Sequence, residues 1–410
     1  LNKKKIINDP VYGFINIPSE LIFDLIQHPF FQRLRNIKQL GMTHLVYPGA
    51  LHTRFHHALG AMHLMGLAVK TLRDKDHQIS FAEEEAVTIA ILLHDIGHGP
   101  FSHALEHTIV EGITHEDISS LLINDLNKTF DGRLSEALEI FNKKHPRKFL
   151  NQLVSGQLDI DRMDYLNRDS YFTGVSEGVI NSDRIIKILN VVDDQLVVDE
   201  KGIYSIEKFL VARRLMYWQV YLHKTVISAE QMLAKILERA RDLALDGKKL
   251  FATPNFSHFL YNSVTKEDFK QNPEHLERFS QLDDYDIYTS IKVWVDDDDF
   301  ILSTLCNFLT SRNLYQVEIT NEPPSQEKIN DLVDRLLDKY GIDEDDASYF
   351  VFSDTIKNNA YNVGDGSIRI LMKDQSIQDI TAASDNSNLE ALAKTVEKHI
   401  LCYIKELKIL

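Results

Sequence analysis

Cysteine is almost absent: Cys306 and Cys402 are the only two in 410 residues. They cannot build a disulfide framework and cannot by themselves form a zinc site, which fits a reducing cytoplasm. No run approaches the ~18 uninterrupted apolar residues of a membrane span. The opening Leu1-Asn2-Lys3-Lys4-Lys5 leads into Ile6-Ile7-Asn8-Asp9-Pro10, without the apolar core of a secretory signal. Positive charge is short as well. Against 61 Asp and Glu stand 45 Lys and Arg, a formal net charge of -16, which argues against a non-specific nucleic-acid surface. A local basic pocket for an anionic small molecule is still compatible with that balance. There is no internal repeat and no low-complexity segment. The expectation is a cytoplasmic protein without membrane or nucleic-acid partners.

What is present is an ordinary globular composition, 44% hydrophobic and 26% charged, with length for two or three domains. Histidine is plentiful, 17 in all, and crowded between His44 and His115. The stretch Ala86–Leu93 is apolar all round and runs into His94-Asp95-Ile96-Gly97-His98-Gly99-Pro100-Phe101-Ser102-His103. A helix apolar on every side is a buried helix, so its end delivers His94 and Asp95 into an interior. Buried His and Asp are costly unless paired or bound to a metal. For a lone pair, a hydrogen-bonded core His with a capping Asp is the simpler reading. Further His-rich stretches shift the balance.

In Arg54-Phe55-His56-His57-Ala58-Leu59 the apolar Phe55, Leu59 and Met62 mark one helix face. Adjacent helical residues diverge by about 100°, which favours His57 as a ligand and leaves His56 as a neighbour. Thr114-His115-Glu116-Asp117 has the form of a capping box with a His to spare. In Asp159–Asp169, Asp161, Asp164 and Arg168 share a helix face with Tyr165 beside them, and that face is expected to look into a polar cavity. Arg213, Tyr217, Tyr221 and Lys224 form a polar-aromatic stripe on a long helical pattern from Ser205 to about Asp246. Arg33, Arg35 and Lys38 read as a solvated face or as a phosphate-facing patch.

The remaining pattern sets the expected organisation. Ile17–Leu40 reads as two helices broken at His28-Pro29, and Leu196–Ser205 as a hairpin around Asp199-Glu200-Lys201-Gly202. After Gly247 the histidines thin and acidic runs appear. Ile287–Val295, Tyr315–Ile319, Tyr349–Phe352 and Ser367–Met372 read as strands. Phe300–Ser311, Pro324–Tyr340 and Asn388–Leu407 read as helices. The expected fold class is mostly α, a helical metal-binding core over residues 1–246 with a smaller mixed α/β region over residues 247–410.

Gathered together, His57, His94, Asp95 and Asp161 are a His/His/Asp/Asp set suited to one divalent ion, with Mg, Mn, Fe, Ni and Zn all compatible. Arg54, Arg162 and Arg213 could neutralise phosphate oxygens. That chemistry is hydrolysis of a phosphate ester or anhydride.

The sequence resembles the HD-domain phosphohydrolases, and within them most closely the deoxynucleoside triphosphate triphosphohydrolases (dGTPase-like enzymes). The motifs that carry the resemblance are Asn8-Asp9-Pro10, Phe31–Leu40, Pro48-Gly49-Ala50, Arg54–His57, His94–His103, His115-Glu116, Asp159–Tyr165 and Arg213–Lys224. The motifs run from Asn8 to Lys224, and the resemblance covers roughly residues 5–240. The resemblance implies an all-helical fold around a metal held by His57, His94, Asp95 and Asp161. It implies that His98, His103, His115 and Glu116 lie beside the scissile phosphate, as acid/base or water-positioning groups. Arg54, Arg162, Tyr165 and Arg213 would hold the triphosphate of a nucleotide substrate, Gln39, Leu40, Tyr165 and Asp169 would surround the sugar, and Tyr217, standing where regulated members have a His, would also contact substrate. It also implies a nucleotide activator near Lys5, Asn8, Gln32 and Arg35 and a homo-oligomer, dimer or tetramer. Gln27 stands where regulated members carry an acidic residue, and Arg162 where lysine is usual. Cleavage to deoxynucleoside and triphosphate is the leading expectation. The alternatives are hydrolysis of a monophosphate or signalling nucleotide, or an idle nucleotide-binding protein.

Overall fold

The structure is a computed structural model that describes residues 5–101, 110–358, 361, 366–386, 389 and 394–407. Helices dominate it, with a few small sheets, in line with the mostly helical class. The chain enters as an antiparallel hairpin, Ile6–Asp9 against Gly13–Asn16. Asp9 Oδ1 accepts from the backbone N–H of Val11 and of Tyr12, each at 2.9 Å, and so makes the turn. The helix Glu20–Gln27, capped by Ser19, stops before Pro29. The second helix expected up to Leu40 is only one turn, Pro29–Gln32, followed by a 3-10 turn, Arg33–Asn36. Lys38 is extended and bridges Thr53, because the chain must pair there with the segment that opens the next helix.

Two long helices, Arg54–Asp74 and Phe81–Leu93, pack on each other, and Ile160–Thr173 packs on the first. All residues of Ala86–Leu93 are buried, so the apolar run does what its composition dictates. Its N-terminus is fixed by a Ser80/Glu83 capping box. His56 is the capping partner of Thr53, which leaves His57 to point inward. Thr114 and Asp117 form the expected box ahead of His115–Thr129.

Four expected elements come out differently. Ile287–Val295 lies mostly in a helix, Asp284–Trp294, whose buried Ile287, Ile291 and Trp294 follow helical spacing. Asn388–Leu407 contains a strand, Val396–Tyr403, between Gln316–Thr320 and Val351–Asn358 in an antiparallel sheet. That long-range pairing overrides its local helical pattern. The hairpin is Leu189–Val192 with Gln195–Asp199, turning at Asp193-Asp194 rather than at Gly202. The long helix after Ser205 is broken: Ile203–Met216, a wide π turn at Tyr217–Tyr221, then Lys224–Leu245 capped by His223.

The Lys224–Leu245 helix buries Met232, Leu233, Ile236 and Leu237 and packs on Phe300–Thr310 and on the strand Gln316–Thr320. The strand Arg369–Leu371 adds in parallel to Gln195–Asp199. At the junction of the first two helices Asp299 both caps Phe300–Thr310 and takes two hydrogen bonds from Arg239, at 3.1 and 2.7 Å. Burial opposes the Asp299 carboxylate, but the Arg239 guanidinium outweighs it and lowers its pKa. Asp299→Ala is therefore expected to lose about 2 kcal/mol, the sum of a cap and a charge-assisted pair. A depressed carboxylate contributes stability above its unfolded pKa of about 4 and loses it as pH falls through the folded value. Urea unfolding should show the full deficit at pH 7 and a shrinking one below about pH 4.

Candidate metal centre

The centre forms where three helix ends meet. His57 lies in the first turn of Arg54–Asp74, His94 caps the end of Phe81–Leu93, and Asp161 sits in the first turn of Ile160–Thr173. Donor atoms of these three side chains lie within 4.8 Å of one another. His57 Nε2 is 3.2 Å from His94 Nε2 and 3.1 Å from Asp161 Oδ1, and His94 Nε2 is 3.5 Å from the same oxygen. Ions with ligand bonds of about 2.0–2.2 Å place neighbouring donors about 3.0–3.4 Å apart, so this spacing suits one ion.

The tautomers fit as well. His57 Nδ1 meets Asp164 Oδ2 at 2.7 Å, and His94 Nδ1 meets the Ile91 carbonyl at 2.6 Å. With both Nδ1–H groups donated, two Nε2 lone pairs face each other across a shared space, which is how second partners prepare imidazoles for a metal. The electrostatics agree. Burial opposes a charged His57, but Asp161 and Asp164 outweigh it and push its pKa up to about 10. Burial likewise opposes the Asp161 carboxylate, and the His57 and His94 hydrogen bonds hold it far below the usual carboxylate range. The pocket calls for positive charge at the point the three groups share.

Asp95, the fourth expected ligand, stands alongside. Its Oδ1 is 3.3 Å from His94 Nε2 and 3.4 Å from His98 Nε2. Its Oδ2 is 3.8 Å from His57 Nε2 and forms a short ion pair with Arg54 Nη1. Arg54, expected on the triphosphate, is thus buried against Asp95. His98 is buried and stacked on His115, with ring centroids 3.8 Å apart. Burial and the Arg54 charge push its pKa down to about 3. His115, Glu116, His94, Asp95, Asp161 and Arg162 all line a cavity of about 420 Å³. His103 lies outside the described residues.

Several of the other expected contacts gather around Tyr165 and Tyr221. Tyr221 donates to Asp169 Oδ2 at 2.7 Å, and Asp169 Oδ1 meets His52 Nε2 at 2.7 Å. Tyr165 and Tyr217 pack on Tyr221, at 6.3 and 5.3 Å between centroids. The charges of Arg162 and Arg213 both act on Tyr165. Arg162 is ion-paired with Asp159. Arg213 is 9% exposed, and its Nε and Nη1 have no hydrogen-bond partner among the described residues; nor has Gln39 Oε1. Leu40 is half-buried, and Lys224 of the stripe is exposed.

Asp164 and Arg168 do not face the cavity, contrary to the helix-face expectation. Both are fully buried, and Arg168 forks onto Asp164 at 2.9 and 3.0 Å and onto Asp9 at 2.8 Å. The reason is Gly60. A Cβ there would fall 2.0 Å from Asp164 Oδ1 and 2.1 Å from Arg168 Nη2, so glycine lets the two helices close over the pair. A glycine inside a helix pattern was the available signal; the roles of Asp9 and His52 left none. Arg33 is likewise buried rather than solvated, with Nη2 donating to the Ile96 carbonyl at 2.6 Å. Of the expected activator residues, Lys5, Asn8 and Arg35 are exposed. Gln32 accepts from Arg35 Nε at 2.8 Å, and Arg35 lies over the Phe55 ring at 3.6 Å.

Paired imidazoles and a carboxylate at helix ends inside a helical core define a metal-dependent phosphohydrolase centre of the HD type. An HD domain is matched over residues 54–169 and an HD associated region over residues 180–257. The chain belongs to the HD-domain phosphohydrolases, and its relatives include deoxynucleoside triphosphate triphosphohydrolases. A phosphohydrolase structure from Bacteroides thetaiotaomicron is 53% identical with a TM-score of 0.95, over 98% of this chain and 100% of that one. The uncharacterized protein YwfO of Bacillus subtilis is 35% identical over 88% of this chain and 82% of its own length. The deoxynucleoside triphosphate triphosphohydrolase SAMHD1 homolog of Dictyostelium discoideum is 34% identical over 66% of this chain and 56% of its own length. Among the described residues no helix is long and apolar enough to cross a membrane.

Proposed function

We propose that the protein hydrolyses deoxynucleoside triphosphates to deoxynucleoside and intact triphosphate, with His57, His94, Asp95 and Asp161 around one divalent ion. The observation that carries this reading is Arg213. A buried guanidinium with two unpartnered nitrogens among the described residues, together with a second cation, Arg162, whose charge acts on the same Tyr165, suits a polyanion better than a single phosphate. When bound, a divalent ion supplies Lewis-acid polarisation of a phosphoryl oxygen and lowers the pKa of water. Asp161, as a ligand of the ion with His57 and His94, would bring the α-phosphorus beside the imidazoles. Arg162 and Arg213 hold the β- and γ-phosphates and stabilise charge developing on the α-phosphoryl oxygens as water attacks; the Pα–O5′ bond breaks, and the deoxynucleoside leaves through its 5′-oxygen, which takes up a proton. Tyr165, one turn after Asp161, keeps the sugar near the centre and crowds a ribose 2′-hydroxyl. His98, held neutral, stacks on and orients His115, and His115 and Glu116 at the cavity rim hold or deliver the proton. The chain divides functionally into residues 1–246, which carry these groups, and an accessory region over residues 247–410. A homo-oligomer with a nucleotide activator near Lys5, Asn8, Gln32 and Arg35 belongs to the same reading.

The test is incubation with each deoxynucleoside triphosphate and a defined divalent ion, with products resolved by anion exchange. Triphosphate as the first anionic product is expected; orthophosphate or diphosphate first overturns the reading. Arg213→Ala should lower kcat/KM about 100-fold or more, the scale of a lost transition-state donor. The ion content of the purified variant should stay unchanged, because Arg213 touches the anion and not the ligands. Equal loss of ion and activity would move Arg213 out of that role.

A further inference from the structure

Three consecutive residues of the accessory region reach into the catalytic half. The Leu282 carbonyl accepts from Arg33 Nη1 at 3.0 Å, and Asp283 Oδ2 accepts from Asn36 Nδ2 at 2.8 Å. Asp284, at the start of the helix Asp284–Trp294, is 2% exposed. Its two oxygens are divided between two distant segments. Oδ2 accepts from the backbone N–H of Lys38 at 3.0 Å and faces Lys38 Nζ at 3.4 Å, and Oδ1 accepts from the backbone N–H of Phe101 at 2.9 Å.

Each of those two segments adjoins residues of the proposed site. Lys38 precedes Gln39 and Leu40 and bridges Thr53, the cap of the helix that carries His57. Phe101 ends the turn that follows His94, Asp95 and His98. Its φ of +49° is left-handed, a conformation that side chains other than glycine rarely adopt, so its placement depends on an outside acceptor. Lys38 Nζ lies over the Phe101 ring at 5.5 Å, closing the contact from the side.

We propose that Asp284 is a positioning residue for catalysis: its carboxylate clasps the Lys38 and Phe101 amides and sets the distance between the Lys38 segment and the histidine turn. This gives residues 282–284 of the accessory region a part in the reaction without touching substrate or ion. The proposal rests on the triphosphohydrolase reading for its kinetic consequence.

Asp284→Asn tests it in the full-length protein. The amide keeps the shape but turns an N–H toward one of the two backbone donors, so one clasp opens. Expected results are faster hydrogen exchange, about tenfold or more, in peptides covering Lys38 and Phe101, with exchange in Lys224–Leu245 unchanged. The kcat for a deoxynucleoside triphosphate should fall by a similar factor, with KM and ion content within about twofold, since neither anion nor ligand contacts change. Asp284→Glu, which keeps the acceptors on a longer arm, should stay folded and protected yet still lose kcat. It serves as the deciding variant if Asp284→Asn does not fold. Unchanged exchange in folded Asp284→Asn, or unchanged kcat in the folded variants, overturns the clasp. If the wild-type protein cleaves no deoxynucleoside triphosphate, the functional reading fails by itself, and the exchange result alone decides whether Asp284 holds the two segments.

Discussion

Arg168→Met is expected to destabilise the protein by about 3–5 kcal/mol, the cost of leaving buried charge without its partner. Arg168 is 0% exposed and shares Asp164 with His57. It also ties in Asp9, which has a second task in the hairpin turn. Methionine fills much of the volume but leaves two carboxylates without their guanidinium. Asp164 would answer by taking up a proton or by drawing His57 toward the charged form. Either change spoils the tautomer that aims His57 Nε2 at the centre, so ion affinity should fall with stability. Urea unfolding and ion titration on the same preparation check both. A loss below about 1 kcal/mol would show that water replaces the guanidinium, and the network would then be no more than surface-like. Arg168→Lys should recover the charge but not the fork, and should lie between.

Asp161→Ala is expected to do the reverse: keep the fold and abolish the chemistry. Asp161 is about one quarter exposed, and among the described residues its hydrogen bonds run to the two imidazoles. Its removal takes away one of the three donors that converge most closely, and the fourth proposed ligand, Asp95, is already engaged by Arg54. Two neutral imidazoles hold a divalent ion far more weakly than the same pair with a carboxylate. Ion content should drop from about one per chain to a small fraction, and kcat by about 1,000-fold or more, in proportion to lost Lewis-acid and positioning effects. The unfolding midpoint should stay close to the ion-free wild type. Elemental analysis with parallel unfolding curves checks this. Full ion content in Asp161→Ala would remove Asp161 from the ligand set and make Asp95 the carboxylate to test next.

The centre was legible in the sequence because its local rules point one way. A helix apolar on all sides has nowhere to go but inside, so whatever ends it is delivered inside too. Two adjacent histidines diverge enough that one is chosen by its neighbours, and His56 is used up in capping. What failed were statements that depend on a partner far along the chain. The Asp164 and Arg168 face looked like a cavity wall because spacing says which residues share a side, and only the closeness of Gly60 says what covers it. Ile287–Val295 alternates well enough for a strand, and its helical spacing at Ile287, Ile291 and Trp294 fits as well; packing on the adjacent Phe300–Thr310 helix favours the second. Val396–Tyr403 pairs on both sides with strands remote in sequence, a choice no local window contains. The clasp at Asp284 likewise joins residues 183 and 246 positions apart.

The series Asp9, Arg168, Asp164, His57 has one further consequence. Its first member shapes a surface hairpin and its last faces the candidate metal site, with each link a hydrogen-bonded charge. Two events at opposite ends of such a series share one free energy. Whatever reshapes the hairpin turn, whether a bound anion, a fused tag or a shortened terminus, must alter ion affinity by the factor through which the ion alters that event. Measured in either direction, the number is the same, so the stability of the N-terminal turn can be read out at the metal.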